Sequence, residues 1–475
     1  LNDSYNRFET FGAPPAKQGD YAYLLHIIRS LKSDGKAACI LPHGVLFRSN
    51  AEAEIRRNLI RHGYIKGIIG LPANLFYGTG IPACIIVIDK EHATGRKGIF
   101  MLDASAGFIK DGPKNRLREQ DVHKIVDAFT RQDDSEPRYA RMVGFEEIEK
   151  NDYNLNLPRY IDSIQAEDKQ DIEGHLKGGI PAADIEALGG YWAVCPQLKA
   201  ALFKANRPGY FDLAVDKANI KTCIYGHPQF VDFINRMTKH FDDWRAQTAR
   251  TLKALQPGFQ PKQLIHEVAE SLLQHYQDKP LIDAYDVYQH LMDYWANVMQ
   301  DDAYLIAAGG WKAETYRIIE KDKKGKEKDK GWGCDLLPKA LIVARYFGAE
   351  QAKIDLITAD LEATGSVLAD LEEEHGGDEG VFADLDKINA VTVKERIKDV
   401  GKDAAEELAV LKQWQTLAVQ EAALKKQLKE RDVDLDEKAY AKYPDLNQAE
   451  TEIKQLAVSD KWLTGIQAAI SDEMD

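Results

Sequence analysis

The sequence predicts an α/β region followed by a mainly α-helical C-terminal region that contains an antiparallel helical hairpin, and three observations lead there. Over the first hundred residues the apolar pattern runs helix, strand, helix, strand, strand, which belongs to an α/β sheet. Residues 230 to 300 are dense in Leu, Val, Trp and Tyr at spacings of three and four. Beyond residue 350, apolar side chains recur every seven residues, the signature of paired helices.

Taken in order, Tyr21, Leu24, Leu25 and Ile28 share one helical face within Asp20 to Leu31, and Gly35 supplies the stop. Ala37 to Leu41 is a short apolar run ended by Pro42, expected to be a strand buried on both faces. Asn50 to Arg61 sets Ile55, Leu59 and Ile60 against a charged face, an amphipathic helix. Tyr64 to Leu71 and Ala83 to Ile88 read as strands and Gly98 to Leu102 as a further one, giving a sheet with an antiparallel edge. The pattern turns irregular at Asp152 to Tyr160, where a domain boundary is expected. Residues 1–150 then form the α/β region, 151–350 a mainly helical domain and 351–475 an acidic assembly region.

In the helical domain the apolar face includes Leu272, Tyr276, Val287, Leu291, Tyr294 and Trp295. Glu320 to Lys330 alternates in charge, most simply an exposed loop or hairpin tip, with a nucleic-acid contact as the weaker reading. In the last region Ile354, Leu361 and Leu368 lie seven apart, as do Ile357, Thr364 and Leu371. A second stripe runs through Val410, Trp414, Leu417, Leu424 and Leu428, and His375-Gly376-Gly377 breaks the helix between them. A third helix is expected around Ile453, Leu456, Leu463 and Ile470. The stripes suit either a hairpin closed on itself or an apolar seam offered to a partner helix, and spacing alone favours the first.

Composition narrows the function classes. Of 475 residues 44% are hydrophobic and 29% charged, which is globular rather than disordered. No apolar run approaches the roughly 18 residues of a membrane span, so a soluble, cytoplasmic protein is expected. Cys39, Cys84, Cys195, Cys223 and Cys334 are scattered with no metal-ligand spacing, so neither structural zinc nor a disulfide framework is expected. The net charge of −14 resides entirely in residues 351–475, while residues 1–100 hold 13 basic and 8 acidic side chains. A phosphate backbone would be repelled by the tail; contact with nucleic acid would need a local basic face or a partner.

The large enzyme motifs for nucleoside triphosphates, zinc proteases, serine hydrolases and dinucleotides are absent from the sequence. No role is assigned to His26 or His43. Two segments follow strands at their carboxyl ends, where open α/β sheets place ligands: Leu41 to Arg48, and Leu71-Pro72 running into Asn74 to Pro82. The second joins Phe76 and Tyr77 to Gly78 and Gly80. Glycine permits close backbone approach, and an aromatic at the mouth of a sheet offers the flat face on which an extruded base stacks. The plainer reading is that Phe76 and Tyr77 cap the core at a turn, and without further information it is the favoured one.

These residues carry a family resemblance. Arg7-Phe8-Glu9, Gly12, Pro14 to Lys17, Gly19 to His26, Gly35-Lys36, Leu41 to Arg48, Ile55-Arg56, Ile68 to Ile88 and Asn151 to Tyr160 resemble the C-terminal part of the modification (M) subunits of type I restriction-modification systems, which are DNA adenine-N6 methyltransferases. Trp332 to Tyr346 and the acidic helices beyond resemble the long C-terminal region of the larger M subunits. The resemblance implies the latter part of an S-adenosylmethionine-dependent methyltransferase sheet, with S-adenosylmethionine as methyl donor and an adenine flipped from duplex DNA as acceptor. It implies that Phe76 stacks on that base, with Tyr77 as second choice, in a base-pocket loop that includes Pro42, Gly78 and Gly80.

The departures from the family are as informative. Its cofactor motif, D-P-[AF]-C-G-[ST]-G, and its N-P-P-[FY] motif do not occur in these 475 residues, and the chain opens at Leu1. Gly12-Ala13-Pro14-Pro15 lacks the Asn and precedes a helix, so it is not that motif. A truncated M subunit, inactive alone, is therefore expected, with no catalytic residue or metal ligand named and the cofactor-binding residues unknown. The family reads DNA through a separate specificity subunit, which removes the need for a basic face and shifts the expectation for Ile354, Leu361, Leu368 and Leu371 towards a partner seam. A restriction subunit completes the holoenzyme; no membrane is implied. The competing expectations are a non-catalytic assembly module and a stand-alone DNA adenine methyltransferase.

Overall fold

The computed structural model describes residues 3–163, 171–321, 325–377, 380–400 and 404–474. The chain divides into two compact units, one formed by residues 1–240, 267–293 and 470–475 and the other by 241–266 and 294–469.

The first unit is built on a five-stranded sheet. Helix α1 (Asp20–Ser30) buries Tyr21, Leu24, Leu25 and Ile28, and α2 (Ala51–Arg61) buries Ile55, Leu59 and Ile60, the faces their spacing predicts. Strands β1 (Lys36–Pro42), β2 (Ile65–Gly70), β3 (Ala83–Asp89) and β4 (Gly98–Asp103) are followed by a short hairpin, β5 (Ile109–Asp111) and β6 (Lys114–Arg116). Helix α3 (Glu119–Arg131), β7 (Ala140–Gly144) and α4 (Phe145–Lys150) complete the region. The sheet order is β1-β3-β2-β4-β7. Only β2 and β4 run parallel, in the register Gly70↔Asp103; β1–β3, β2–β3 and β4–β7 are antiparallel, so antiparallel pairing dominates rather than bounding the sheet.

The expectation that β1 is buried on both faces is corrected. It is an edge strand whose residues alternate: Ala37, Cys39 and Leu41 join the core, whereas Ile40 is 54% exposed. A run of small and branched apolar residues looks the same at an edge as in the middle of a sheet; the partner on the second side makes the difference.

Apolar clusters cover both sheet faces. On one, α1, α2 and the residues Tyr153, Leu155, Leu157, Tyr160 and Ile161 pack on Ile68, Ile86, Ile88, Ile99 and Met101. On the other, Ile125 of α3 packs on Ile69, Phe100 and Leu102. Two glycines of β2 are tightly covered: a Cβ on Gly67 would lie 2.4 Å from the Phe129 ring and 2.7 Å from Phe100 O, and one on Gly70 would force the Leu157 side chain, 2.4 Å away, to shift. Farther along, helical spacing gives no hint of a three-stranded sheet that orders Ile180–Pro181, Tyr210–Leu213 and Phe203–Arg207.

In the second unit the alternating charges of Glu320 to Lys330 fall on a hairpin of Tyr316–Lys321 and Glu327–Gly333, with residues 322–324 outside the described part. The alternation is cross-strand pairing: Arg317 meets Asp329, Lys330 meets Glu320 and Lys321 meets Glu327. Helices α5 (Gly348–Glu374) and α6 (Ala405–Leu446) lie against each other. Trp414 Nε1 donates to Glu372 Oε1 over 2.7 Å, and Lys438 lies 3.8 Å from Glu350, so the start of one helix meets the end of the other. Ile453, Leu456 and Leu463 of the terminal helical stretch are fully buried.

Candidate functional site

Strand directions bring the carboxyl ends of β1, β2 and β4 to one edge of the sheet. Three turns leave from there: Pro42-His43, the loop 71–82, and Asp103-Ala104. Backbone bonds stitch them together: Leu71 N donates to Ala83 O (2.9 Å), His43 N to Pro82 O (3.2 Å), Ala104 N to Gly70 O (2.9 Å) and Asp103 N to Tyr139 O (2.8 Å). Pro42 pairs with Ala83 at the neck of the loop.

The loop does not use its aromatics to close the core. Leu75 packs on the Ile69 and Phe100 side of the sheet, whereas Phe76 is 37% and Tyr77 94% exposed. Gly78 holds φ +81 with open space around its Cα, and Gly80 lies beside Asn74, which itself has φ +61. Asn tolerates this region and Gly occupies it without strain. Phe76, Tyr77, Gly78, Gly80 and Pro42 are therefore gathered at one edge, with Tyr77 fully exposed and Phe76 partly so.

Residues to which spacing assigns nothing hold this loop. Asn74 Nδ2 donates to Pro113 O (2.7 Å), and buried Asn115 donates through Nδ2 to Ala73 O (2.7 Å) and through its main chain to Asn74 O (3.0 Å). Lys114 Nζ donates to Phe76 O at 2.7 Å and to Asn74 Oδ1 and Thr79 O at 3.1 Å. All come from the β5–β6 hairpin; the one sequence signal for it is the Asp111-Gly112-Pro113 turn.

Polar groups behind the loop are largely spoken for. Buried Asp103 accepts from Ser105 N (3.0 Å) and Ser163 Oγ (2.5 Å). Burial pushes the His43 imidazole below the ordinary histidine value, against a hydrogen bond with the Ala83 main chain and the charge of Asp103; its Nε2 has no partner among the described residues. The Pro42–Arg48 turn is pinned from beneath: Arg56, 2% exposed, donates to the carbonyls of Val45 (3.2 Å), Arg48 (3.0 Å) and Tyr153 (2.7 Å). Arg48 pairs with Asp20 (2.8 Å) and buried Glu52 (3.2 Å).

This set suits a flat apolar ligand resting on Phe76 or Tyr77. Towards a nucleoside sulfonium cofactor the set offers one buried carboxylate, Asp103, each of whose oxygens already accepts one hydrogen bond, while Gly78 and Gly80 sit out at the loop tip, so the set assigns no residue to hold it. Among the described residues no group of three or more His, Cys, Asp or Glu side chains could hold a metal ion, and no helix is long and apolar enough to cross a membrane.

The stripe residues expected at a partner seam lie in the second unit. Ile354, Leu368 and Leu371 are buried and Leu361 is half-buried. Leu368 and Leu371 pack with Phe382, Val393, Leu411 and Trp414, so that part of the stripe is covered within the chain. Buried Thr364 satisfies its hydroxyl on Asp360 O at 2.8 Å. The outward side of the same helices carries Leu356, Val367, Val419 and Val433, all exposed.

Comparison with known proteins falls on the part of the chain that holds the loop. Residues 2–169 match the N-6 DNA Methylase family. Over 173 residues the chain is 36% identical to the type I restriction enzyme MjaVII methylase subunit of Methanocaldococcus jannaschii, covering 36% of this chain and 29% of that protein. Over 168 residues it is 32% identical to the type I restriction enzyme MpnII methylase subunit of Mycoplasma pneumoniae, covering 35% and 31%. The crystal structure of a type I restriction-modification system methyltransferase subunit from Streptococcus thermophilus aligns at 43% identity over 33% of each chain, with a TM-score of 0.31. The chain thus spans less than a third of the length of these two curated relatives.

Proposed function

We propose that this chain, whose residues 2–169 match the N-6 DNA methylase family, is part of the modification subunit of a type I restriction-modification system. In the complete subunit, assembled with a specificity subunit, it would transfer a methyl group from S-adenosylmethionine to N6 of adenine in DNA. The observation that supports this most is the loop 71–82: within the family-matched segment, at the carboxyl edge of the sheet, it holds Phe76 and Tyr77 out of the core on a braced backbone.

The chain's own residues would act on the base. A flipped adenine stacks on Phe76, with Tyr77 as the neighbouring ring, while Pro42, Gly78 and Gly80 leave room for its edge to approach the backbone. Stacking fixes the plane of the ring and thereby the direction of the exocyclic amine. Methyl transfer needs that amine in line with the sulfonium methyl, so alignment supplies much of the rate. S-adenosylmethionine would supply the methyl group. The second-unit helices α5 and α6 would serve assembly, with Ile354, Leu361, Leu368 and Leu371 supporting the pair and its outward side meeting the specificity subunit; a restriction subunit would join in the holoenzyme.

The test is Phe76→Ala in the complete modification subunit, assembled with a specificity subunit. Losing a stacking platform of about 1–3 kcal/mol lowers methyl transfer by roughly 10- to 100-fold, with DNA binding retained. Methylation at the wild-type rate refutes the assignment.

A further inference from the structure

We propose that Lys114 is a positioning residue for the base-stacking ring: its ammonium cross-braces the loop tip so that Phe76 meets the base at a fixed angle. The inference rests on the reading of Phe76 given above and concerns a residue outside the loop.

The loop tip has little else to hold it. From Phe76 to Ile81 every residue is exposed, and Tyr77 and Ile81 are 94% and 61% exposed. Beyond the partly covered Phe76 ring, 37% exposed, side-chain packing contributes little there, and an unbraced tip would sample many backbone states. Two residues in the left-handed region, Asn74 and Gly78, flank the Phe76 peptide unit and set its course without restraining it. Restraint comes from three hydrogen bonds, one for each N–H of the Lys114 ammonium. The acceptors are Asn74 Oδ1, Phe76 O and Thr79 O. Phe76 O and Thr79 O stand on either side of Tyr77-Gly78, so one ammonium fixes the span across the tip. Asn74 Oδ1 ties that span to the stem.

The hairpin that carries Lys114 is built to deliver it. Gly112, at φ +56, makes the turn. Asn115 is 7% exposed and locked onto Ala73 O and Asn74 O, and Lys110 Nζ donates to Asn115 Oδ1 at 2.9 Å, fixing which way the amide faces. β5 and β6 thus lie along the loop as an added edge, with Lys114 at the position that reaches the tip.

Two features distinguish this brace from ordinary surface bonding. All three acceptors are neutral, and among the described residues Lys114 forms no ion pair with a carboxylate. Most surface lysines hydrate fully or meet an acid. Here the full donor capacity is directed at an exposed loop whose fastening adds nothing to the apolar core. The structure it fixes is the backbone that carries the Phe76 ring.

The test compares Lys114→Met, Lys114→Arg and Phe76→Ala in the assembled enzyme on two duplexes, one with 2-aminopurine at the target position to read stacking by fluorescence and one with adenine there to read turnover. Lys114→Met keeps the stem and removes the three donors. Expected are brighter 2-aminopurine fluorescence from looser stacking, about a tenfold fall in kcat, and an unchanged KM for S-adenosylmethionine. Hydrogen exchange should quicken at 76–81 and stay unchanged in β2. Lys114→Arg, which retains donors, should recover part of both signals. If Phe76→Ala impairs turnover and fluorescence while Lys114→Met matches wild type, Lys114 does not position the ring and the proposal is overturned. If Lys114→Met weakens only DNA affinity, with stacking intact, Lys114 is a phosphate contact and the proposal is equally overturned. If Phe76→Ala itself changes nothing, the base-stacking reading fails and takes this proposal with it.

Discussion

Arg56→Met tests what holds the turn beneath the site. The guanidinium is 2% exposed and donates to three carbonyls from two stretches of chain: Val45 and Arg48 after β1, and Tyr153 about a hundred residues later. Methionine refills most of the stem volume but donates nothing, so the effect separates the bonds from the packing. Val45 O keeps a partner, because Tyr21 Oη donates to it at 2.7 Å. Tyr153 O and Arg48 O lose theirs. An abandoned buried acceptor costs about 1–3 kcal/mol; the partly buried Arg48 carbonyl belongs at the low end and Tyr153 O nearer the top. Relief from burying a charge offsets some of this, leaving a net loss of about 2–4 kcal/mol. In urea, with a slope of about 2 kcal/mol per molar, the midpoint of the first unit should fall by about 1–2 M. Hydrogen exchange at 43–48 should quicken first, since that turn is released directly. An unchanged midpoint at unchanged slope would refute the claim that these bonds hold the Pro42–Arg48 turn in place.

Two further outcomes concern the second unit. Lys461 Nζ and Trp462 Nε1 both lie 2.7 Å from Asp302, a carboxylate that burial pushes above its ordinary value and these partners pull back. Lys461→Met should cost about 3–5 kcal/mol at pH 7. The deficit should shrink as pH falls towards 4, because folded Asp302 then binds a proton that the unfolded chain still lacks; a deficit constant across that range counts against the pairing. Leu368→Asp places a carboxylate beside Trp414, Val393 and Leu411 and should undo the α5–α6 pair. Leu356→Asp, at a residue 67% exposed, should leave its helicity by circular dichroism intact and weaken only co-purification with a specificity subunit; the reverse pattern would return the buried stripe to the partner.

Helical spacing carried the reading of α1 and α2, each of which turns one apolar face to the core, and unbroken apolar runs carried that of β2, β3 and β4, whose two faces meet two clusters. Local pattern failed where the decisive contact is distant. The Ala37 to Leu41 run shows that β1 is apolar, but whether a strand lies on its second side is not written in the run. The seven-residue stripe of α5 shows a covered face without saying whose atoms cover it, and α6 of the same chain covers part of it. Ile109–Asp111 and Lys114–Arg116 are too short and too polar to show any period.

The same limit explains why half of the candidate site was visible. Phe76, Tyr77, Gly78 and Gly80 are neighbours in the chain, and a loop rich in Gly and aromatic residues after a strand is a local signal. Lys114 is 38 residues from Phe76; nothing in Asp111-Gly112-Pro113-Lys114 says which backbone its ammonium will meet. A ring exposed at a sheet edge is common and binds little if it moves. What turns exposure into a binding surface is rigidity, because an ordered tip does not have to be ordered again when the base arrives. Here that rigidity comes from a hairpin beyond the next two strands. A substitution there, far from the motif in sequence, should therefore alter how Phe76 meets a base while leaving the motif itself intact.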